Sequence, residues 1–202
     1  YFDLKNSISN FEDINSQNII LGNGAAEAIF NIVRALKPKK ALLPAPTFSE
    51  YEEALRSVGA EIEYYYLCEE DNFQIREDYV DKLSEEIDMI FLCNPNNPTG
   101  QTIDRDMLIK ILNRCKKQNI VVILDECFLE FLDEPNRYEM SNLRGEYPNL
   151  LIIKAFTKIF SMPGLRLGYA ISSNQDILEE MSWKLQQWNV SVPAQMAGVA
   201  AL

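Results

Sequence analysis

A lysine in an apolar setting and an arginine between glycines lie close together in residues 154–169, Lys-Ala-Phe-Thr-Lys-Ile-Phe-Ser-Met-Pro-Gly-Leu-Arg-Leu-Gly-Tyr. Lys158 has aromatic and aliphatic neighbours in the sequence, a setting in which its amine becomes accessible to imine chemistry. Arg166 follows between Gly164 and Gly168, where a guanidinium can bind a phosphate through two hydrogen bonds. Because most lysines are solvated surface residues, Lys158 alone does not establish a catalytic site.

Asp125 ends the apolar run Val-Val-Ile-Leu, so its carboxylate lies at the carboxyl edge of a predicted buried strand. A buried carboxylate is costly unless it is paired with a cation or with a hydrogen-bonded proton. A protonated pyridine nitrogen would meet that need, and the carboxylate would hold the proton in place. A helix N-cap or a metal ligand would explain Asp125 equally well on this pattern alone.

Residues 19–27 run from a predicted strand through a glycine turn into a predicted helix. Gly22 and Gly24 allow close approach of the backbone, and the first amides of the helix, those of Ala25 and Ala26, suit a phosphate. A strand-to-helix turn with glycine is more often only a turn, so this motif alone is a weak indication.

An aromatic residue and an asparagine-rich loop follow two other strands. In residues 44–51, Phe48 comes after a proline-stiffened turn and could stack on a planar heteroaromatic ligand, although this segment alone favours Phe48 and Tyr51 as core residues. Residues 91–100 contain two Asn-Pro steps and a Thr-Gly step, which predict an irregular loop whose asparagine side chains need partners. Asn97 is a candidate donor to a ligand oxygen.

Apolar runs alternate with helix-patterned segments along the chain, which predicts an α/β domain with a mainly parallel, seven-stranded sheet flanked by helices. The predicted strands are residues 19–21, 41–43, 62–66, 89–93, 121–124, 150–153 and 167–171. The predicted helices are residues 25–36, 49–58, 78–84, 104–119 and 175–186. The polar motifs then fall just after strands, at the edge where open parallel sheets bind their ligands.

Composition limits the classes of partner. Asp and Glu number 30 against 19 Lys and Arg, and the net charge of −11 argues against nucleic acid or an anionic membrane surface. The chain has no histidine, and its four cysteines show no metal-ligand spacing, so no metal site is predicted. The cysteines are interpreted as reduced thiols, and the sequence shows no signal peptide or membrane-spanning stretch, which predicts a cytoplasmic protein.

The order of these motifs resembles that of fold-type I pyridoxal 5'-phosphate (PLP) enzymes of aminotransferase class I/II. The motifs that carry the resemblance are Gly-Asn-Gly, Asn-Asn-Pro-Thr-Gly, Asp-Glu, and Thr-Lys followed by Gly-Leu-Arg-Leu-Gly. The resemblance spans nearly the whole chain. It implies that residues 1–202 form the large PLP-binding domain of that fold, incomplete at both ends, with the small C-terminal domain absent from this chain.

The resemblance implies a role for each motif. Lys158 would carry the cofactor as a Schiff base and move protons, Asp125 would bind the pyridine nitrogen, and Phe48 would stack on the ring. Asn97 would bond the phenolic oxygen. The residues that would hold the phosphate are Gly24, Ala25, Ala26, Thr157 and Arg166. Tyr1 resembles a tyrosine that in relatives reaches the phosphate of the other subunit, which implies a homodimer.

Within the superfamily the chain is similar to histidinol-phosphate aminotransferases and threonine-phosphate decarboxylases, which implies an amino acid or amino-phosphate as substrate. Phe128 lacks the hydroxyl of the tyrosine found there in many aminotransferases, a feature similar to the decarboxylase branch, and Ala155 replaces a frequent phosphate-binding Ser or Thr. The sequence leaves transamination and decarboxylation open. The alternative to an enzyme is a non-catalytic PLP-binding domain of a regulatory protein, although these residues include no basic helix-turn-helix.

Overall fold

Every apolar run predicted as a strand pairs into one sheet in the computed structural model, which describes residues 1–202. The seven strands are β1 (Ile19–Gly22), β2 (Lys40–Ala45), β3 (Glu61–Tyr66), β4 (Met89–Cys93), β5 (Val121–Asp125), β6 (Leu150–Ala155) and β7 (Gly168–Ile171). Their order across the sheet is β1-β7-β6-β5-β4-β2-β3. The predicted α/β fold with a mainly parallel, seven-stranded sheet is confirmed.

Strand β7 is the one strand that runs against the others, since it pairs antiparallel with both β6 and β1. The remaining pairings, β2 with β3 and β4, and β5 with β4 and β6, are parallel. Because of this reversal β7 begins at the edge where the parallel strands end. Arg166, two residues before β7, therefore reaches the ligand-binding edge from the start of a strand, whereas the other motifs reach it from the end of one.

Helices cover both faces of the sheet. They are α1 (Phe2–Glu12), α2 (Ala25–Leu36), α3 (Ser49–Arg56), α4 (Asp78–Asp81), α5 (Arg105–Gln118), α6 (Phe156–Ile159), α7 (Gln175–Lys184) and α8 (Val192–Ala201). The five predicted helices are present with slightly different ends, and α4 is a single turn. Helices α1, α6 and α8 were not predicted. None of the helices combines the length and the apolar character needed to cross a lipid bilayer.

Two separate apolar cores lie on the two faces of the sheet, because successive side chains of a strand point to opposite faces. Ile123 and Ile153 belong to the core that packs against α2, α3 and α7. Leu124 and Ile152 belong to the core that packs against α1, α5 and α8. The same alternation continues at the carboxyl ends of β5 and β6, so adjacent polar residues there point to opposite faces of the sheet.

A buried ionic cluster lies on the α1 side of this edge. Its cation is Lys154, which is 5% exposed. The carboxylates within 4 Å of its Nζ are those of Glu12 at 3.0 Å, Glu139 at 3.2 Å, Glu130 at 3.7 Å and Glu126 at 3.9 Å. Burial works to lower the pKa of Lys154, but these carboxylates raise it above its ordinary value. Lys154 is therefore a fixed cation that joins α1 to the ends of β5 and β6.

Candidate active site

A cavity of about 140 Å³ lies at the carboxyl edge of the sheet, on the face covered by α2 and α3. Eight residues singled out from the sequence line it, namely Ala25, Ala26, Phe48, Asn97, Asp125, Thr157, Lys158 and Arg166. The lining also includes Tyr51, Cys93, Cys127, Phe128 and Ala155. The structure thus brings together residues from six separate segments. Of the predicted residues, Gly24 caps α2 beside the cavity, and Tyr1 lies elsewhere.

Asp125 is 4% exposed and is held by two uncharged donors. Its Oδ2 accepts a hydrogen bond of 2.7 Å from the Tyr51 hydroxyl, and its Oδ1 accepts one of 2.9 Å from the Cys127 amide. No α-helix begins directly after β5, so Asp125 is not a helix N-cap. No other carboxylate or cysteine completes a metal-binding group around it. The carboxylate is therefore a buried, oriented acceptor at the floor of the cavity.

Tyr51 is a residue of this site to which the sequence assigned no role. It is fully buried, and its ring stacks on that of Phe91 with 4.8 Å between centroids. Burial raises the pKa of Tyr51 well above its usual range, and the charge of Asp125 adds to the effect. The hydroxyl therefore stays protonated and donates to the carboxylate. The available signal was its position three residues after Phe48, in the first turn of α3.

The two cavity thiols are held in their neutral form. Burial raises the pKa of Cys93 to about 12, and burial together with the Asp125 charge raises that of Cys127 well above its usual range. Because the thiolate is the reactive form of cysteine, neither residue is suited to act as a nucleophile. The nitrogen nucleophile that the cavity offers is the amine of Lys158.

Lys158 lies on the single turn α6, and its Nζ is 5.3 Å from the centroid of the Phe128 ring. The apolar setting expected from its sequence neighbours is only partly present. Phe156 is buried in the core on the α1 side, where it packs against Phe160 with 5.0 Å between ring centroids. The aromatic ring that Lys158 faces comes from the turn after β5. Its amine is exposed at the cavity, whereas Lys154 is enclosed by carboxylates.

The start of α2 and the residues before β7 form a cradle with little room for side chains. Gly24 has φ +82°, and a Cβ there would lie 2.7 Å from the Nη2 atom of Arg166. A Cβ at Gly168 would lie 2.5 Å from the backbone nitrogen of Ala25. The Arg166 guanidinium therefore lies beside Gly24, at the start of α2 and near the positive end of the helix dipole. With the nearby Thr157 hydroxyl, this donor set suits an anion with several oxygens.

In the asparagine-rich loop after β4, two asparagine side chains hold the loop together by hydrogen bonds, and the third is available to a ligand. Asn94 accepts a hydrogen bond of 2.9 Å from the Ile103 amide through Oδ1. Asn96 donates to Thr99 at 2.8 Å and to the Pro46 carbonyl at 3.1 Å. The side chain of Asn97 makes no hydrogen bond within the chain and lines the cavity.

The predicted contact of Tyr1 with the phosphate of another subunit stays a prediction, and within its own chain the Tyr1 hydroxyl has two partners. The Tyr1 hydroxyl donates to Asn189 Oδ1 at 2.7 Å and accepts from the Val190 amide at 3.1 Å. Tyr1 also precedes α1 directly as its N-cap residue, away from the cavity lining. Both hydrogen-bonding functions of the hydroxyl are therefore used within its own chain.

Comparisons with known proteins show the family to which the chain is similar. Residues 3–202 match the family model described as aminotransferase class I and II. The threonine-phosphate decarboxylase of Salmonella typhimurium is 36% identical over 202 residues, which is 100% of this chain and 55% of that protein. The histidinol-phosphate aminotransferase of Methanococcus aeolicus is 32% identical over 203 residues, which is 98% of this chain and 53% of that protein.

A solved structure shows the same fold. The crystal structure of the histidinol-phosphate aminotransferase from Clostridium acetobutylicum superposes with a TM-score of 0.91 at 34% identity, covering 98% of this chain and 58% of that one. The chain spans about half the length of the curated relatives it matches, 55% and 53% for the two above. The resemblance seen in the motifs is confirmed, and the chain belongs to the aminotransferase class I and II family.

Proposed function

We propose that this chain is the large, cofactor-binding domain of a PLP-dependent enzyme that acts on an amino acid or an amino-phosphate. Members of the family use pyridoxal phosphate. The observation that carries the proposal is the cavity itself, which brings a buried carboxylate, an exposed amine and an anion cradle together. These three features complement the pyridine nitrogen, the aldehyde and the phosphate of PLP.

The residues present fit the cofactor at each polar end. The cradle would hold the phosphate through Arg166 and the first amides of α2, which can lie this close together because residues 24 and 168 are glycines. Asp125 supplies a buried acceptor for a ring N–H, and the Asn97 amide would donate to the phenolic oxygen. Phe48 lines the same cavity and would stack on the ring.

PLP supplies an aldehyde that amines can attack and a protonated ring that withdraws electrons from the α-carbon of a bound amino acid. Within the chain, Asp125 would hold the proton on the pyridine nitrogen, and its orientation is maintained by Tyr51 and Cys127. The Nζ of Lys158 would carry the cofactor and would take up and return the proton at the substrate α-carbon.

An enzyme is favoured over a non-catalytic regulatory domain. The similar proteins named above are a decarboxylase and aminotransferases, and the two groups required for proton movement, Lys158 and Asp125, both line the cavity. Transamination breaks the bond from Cα to hydrogen, whereas decarboxylation breaks the bond from Cα to the carboxylate. Incubation with histidinol phosphate plus 2-oxoglutarate, and separately with threonine phosphate, assigns the reaction by its products.

Borohydride reduction of the PLP-loaded protein is expected to fix the cofactor covalently to Lys158, because its amine faces the cavity while Lys154 is buried among carboxylates. The measurement is peptide mapping by mass spectrometry. A Lys158→Met variant serves as the control and should yield no labelled peptide. A label on the peptide that carries Lys154 would overturn the assignment.

We also propose a cytoplasmic homodimer, which is supported by the family resemblance and by the commonness of two-fold dimers among soluble enzymes. Light scattering of the purified, active protein is expected to return twice the mass of one chain. A monomer with full activity would contradict the proposal. Because the Tyr1 hydroxyl is engaged within its own chain, the dimer is not expected to depend on that group.

A further inference from the structure

One side chain outside the cavity joins three segments that meet at the anion cradle. The Nδ2 atom of Asn189 donates to the Leu21 carbonyl at 3.2 Å and to Glu27 Oε2, and its Oδ1 accepts from the Tyr1 hydroxyl at 2.7 Å. Asn189 thereby connects the start of α1, the end of β1 and the first turn of α2. These contacts together fix the orientation of the amide, since the Leu21 carbonyl and the Glu27 carboxylate can only accept, so Nδ2 faces them and Oδ1 faces the Tyr1 hydroxyl.

Glu27 carries the connection to the glycine turn. Its Oε2 accepts a second hydrogen bond, of 2.7 Å, from the amide of Asn23, which lies between Gly22 and Gly24. The carboxylate therefore closes the turn whose next residues provide the amides of the cradle. A free carboxylate near those amides would repel a bound anion. Glu27 does not line the cavity, and its bonds to Asn23 and Asn189 hold it on the outer side of the turn.

The backbone is strained at the residue before Asn189, and burial of that residue's side chain does not explain the strain. Trp188 has φ +57°, which is unfavourable for a bulky residue, yet its side chain is 84% exposed. The strained residue immediately precedes Asn189 and the Val190 amide, which donates to Tyr1. The strained backbone at Trp188 thus places the Asn189 side chain and the Val190 amide beside the Tyr1 hydroxyl.

From these contacts we infer that Asn189 is a positioning residue for phosphate recognition, acting through Glu27 on the turn at Asn23 and Gly24. This inference rests on the proposed function. Asn189 makes the contribution by holding the Glu27 carboxylate against the Asn23 amide, so that the Ala25 amide faces the ligand. Tyr1 contributes by holding the Asn189 amide in its orientation.

The test compares PLP with pyridoxal, which has the same ring and aldehyde but no phosphate. Asn189→Ala removes a hydrogen bond to a charged group, and it is expected to weaken PLP binding about tenfold while pyridoxal binding stays unchanged. Asn189→Asp keeps the acceptor for Tyr1 but faces Glu27 with a second carboxylate, so its loss should be larger. Affinities are measured by absorbance titration of the full chain, with thermal unfolding recorded in parallel.

Gln187→Ala is the matched control, because Gln187 is exposed on the same loop and should leave both affinities unchanged. If Asn189→Ala lowers the affinities for PLP and pyridoxal in equal proportion, or changes neither, the ratio of the two affinities is unchanged. That result would overturn the inference while leaving the proposed function intact. Failure of the unmodified chain to bind PLP would overturn the proposed function and this inference together.

Discussion

Asp125→Asn is expected to lower turnover about 10²- to 10³-fold while leaving the fold intact, a loss comparable to removal of one preorganised electrostatic group from an active site. The amide has the same shape as the carboxylate but cannot carry the charge that holds a proton on the pyridine nitrogen. The fold should survive because the new oxygen can still accept from the Cys127 amide, and the new NH₂ can donate to the Tyr51 oxygen.

The measurement is turnover at saturating PLP, accompanied by far-ultraviolet circular dichroism and by a pH titration of the bound cofactor's absorbance. Asp133→Asn is the matched control, because Asp133 is exposed and the change should alter none of the three measurements. Near-normal turnover of the Asp125 variant with an unchanged titration would show that the residue has only a structural role.

Lys154→Met is expected to destabilise the protein by about 3–5 kcal/mol, the cost of removing one partner from a buried ion pair. The cation is 5% exposed and lies within 4 Å of four carboxylates, so its loss leaves several negative charges facing one another. Lys117→Met is the control, because Lys117 is exposed and such a change is usually within about 0.5 kcal/mol. Equal free energies of unfolding for the two variants would contradict the prediction.

The pH dependence of this cluster follows from Glu126. Burial raises its pKa to about 8 from an ordinary value of 4.5, although the charge of Lys154 opposes the shift. A raised folded-state pKa contributes stability that is present below about 4.5 and is lost as the pH rises through about 8. Glu126→Gln cannot titrate, so its free energy of unfolding relative to the unmodified protein should improve across that window. In the Lys154→Met background the same change should recover part of the loss.

The sequence predicted the sheet well because each strand is a short apolar run bounded by turn residues, a local signal. The site was predictable for a different reason. Its side chains follow consecutive elements of a fold with one ligand-binding edge, so residues as distant as Phe48 and Arg166 converge without any local indication of contact. Helix α8 was missed although Ser191 caps it through Ala194, because its sequence, Val-Pro-Ala-Gln-Met-Ala-Gly-Val-Ala-Ala, has no amphipathic period.

The features that the sequence could not supply are the ones that depend on long-range geometry. Tyr51 and Asp125 are 74 positions apart, and nothing in either segment indicates the hydrogen bond between them. Tyr1 was matched to a motif by residue type, but its hydroxyl is engaged by Asn189, 188 positions away. Likewise the sequence neighbours of Lys158 suggested its surroundings, whereas Phe156, the first residue of α6, lies in the core on the other face and Phe128 faces the amine.

The antiparallel pairing of β6 with β7 places Lys158 and Arg166 on the connection of a single hairpin. Its register, with Ala155 opposite Gly168, is fixed because a one-residue slip of either strand would move Ile153 or Ala170 from its own core to the opposite face of the sheet. An inserted or deleted residue between Lys158 and Arg166 cannot be absorbed by the strands, so it must change the spacing of the two cationic groups. The connection between β6 and β7 is therefore constrained in its length more than in its composition.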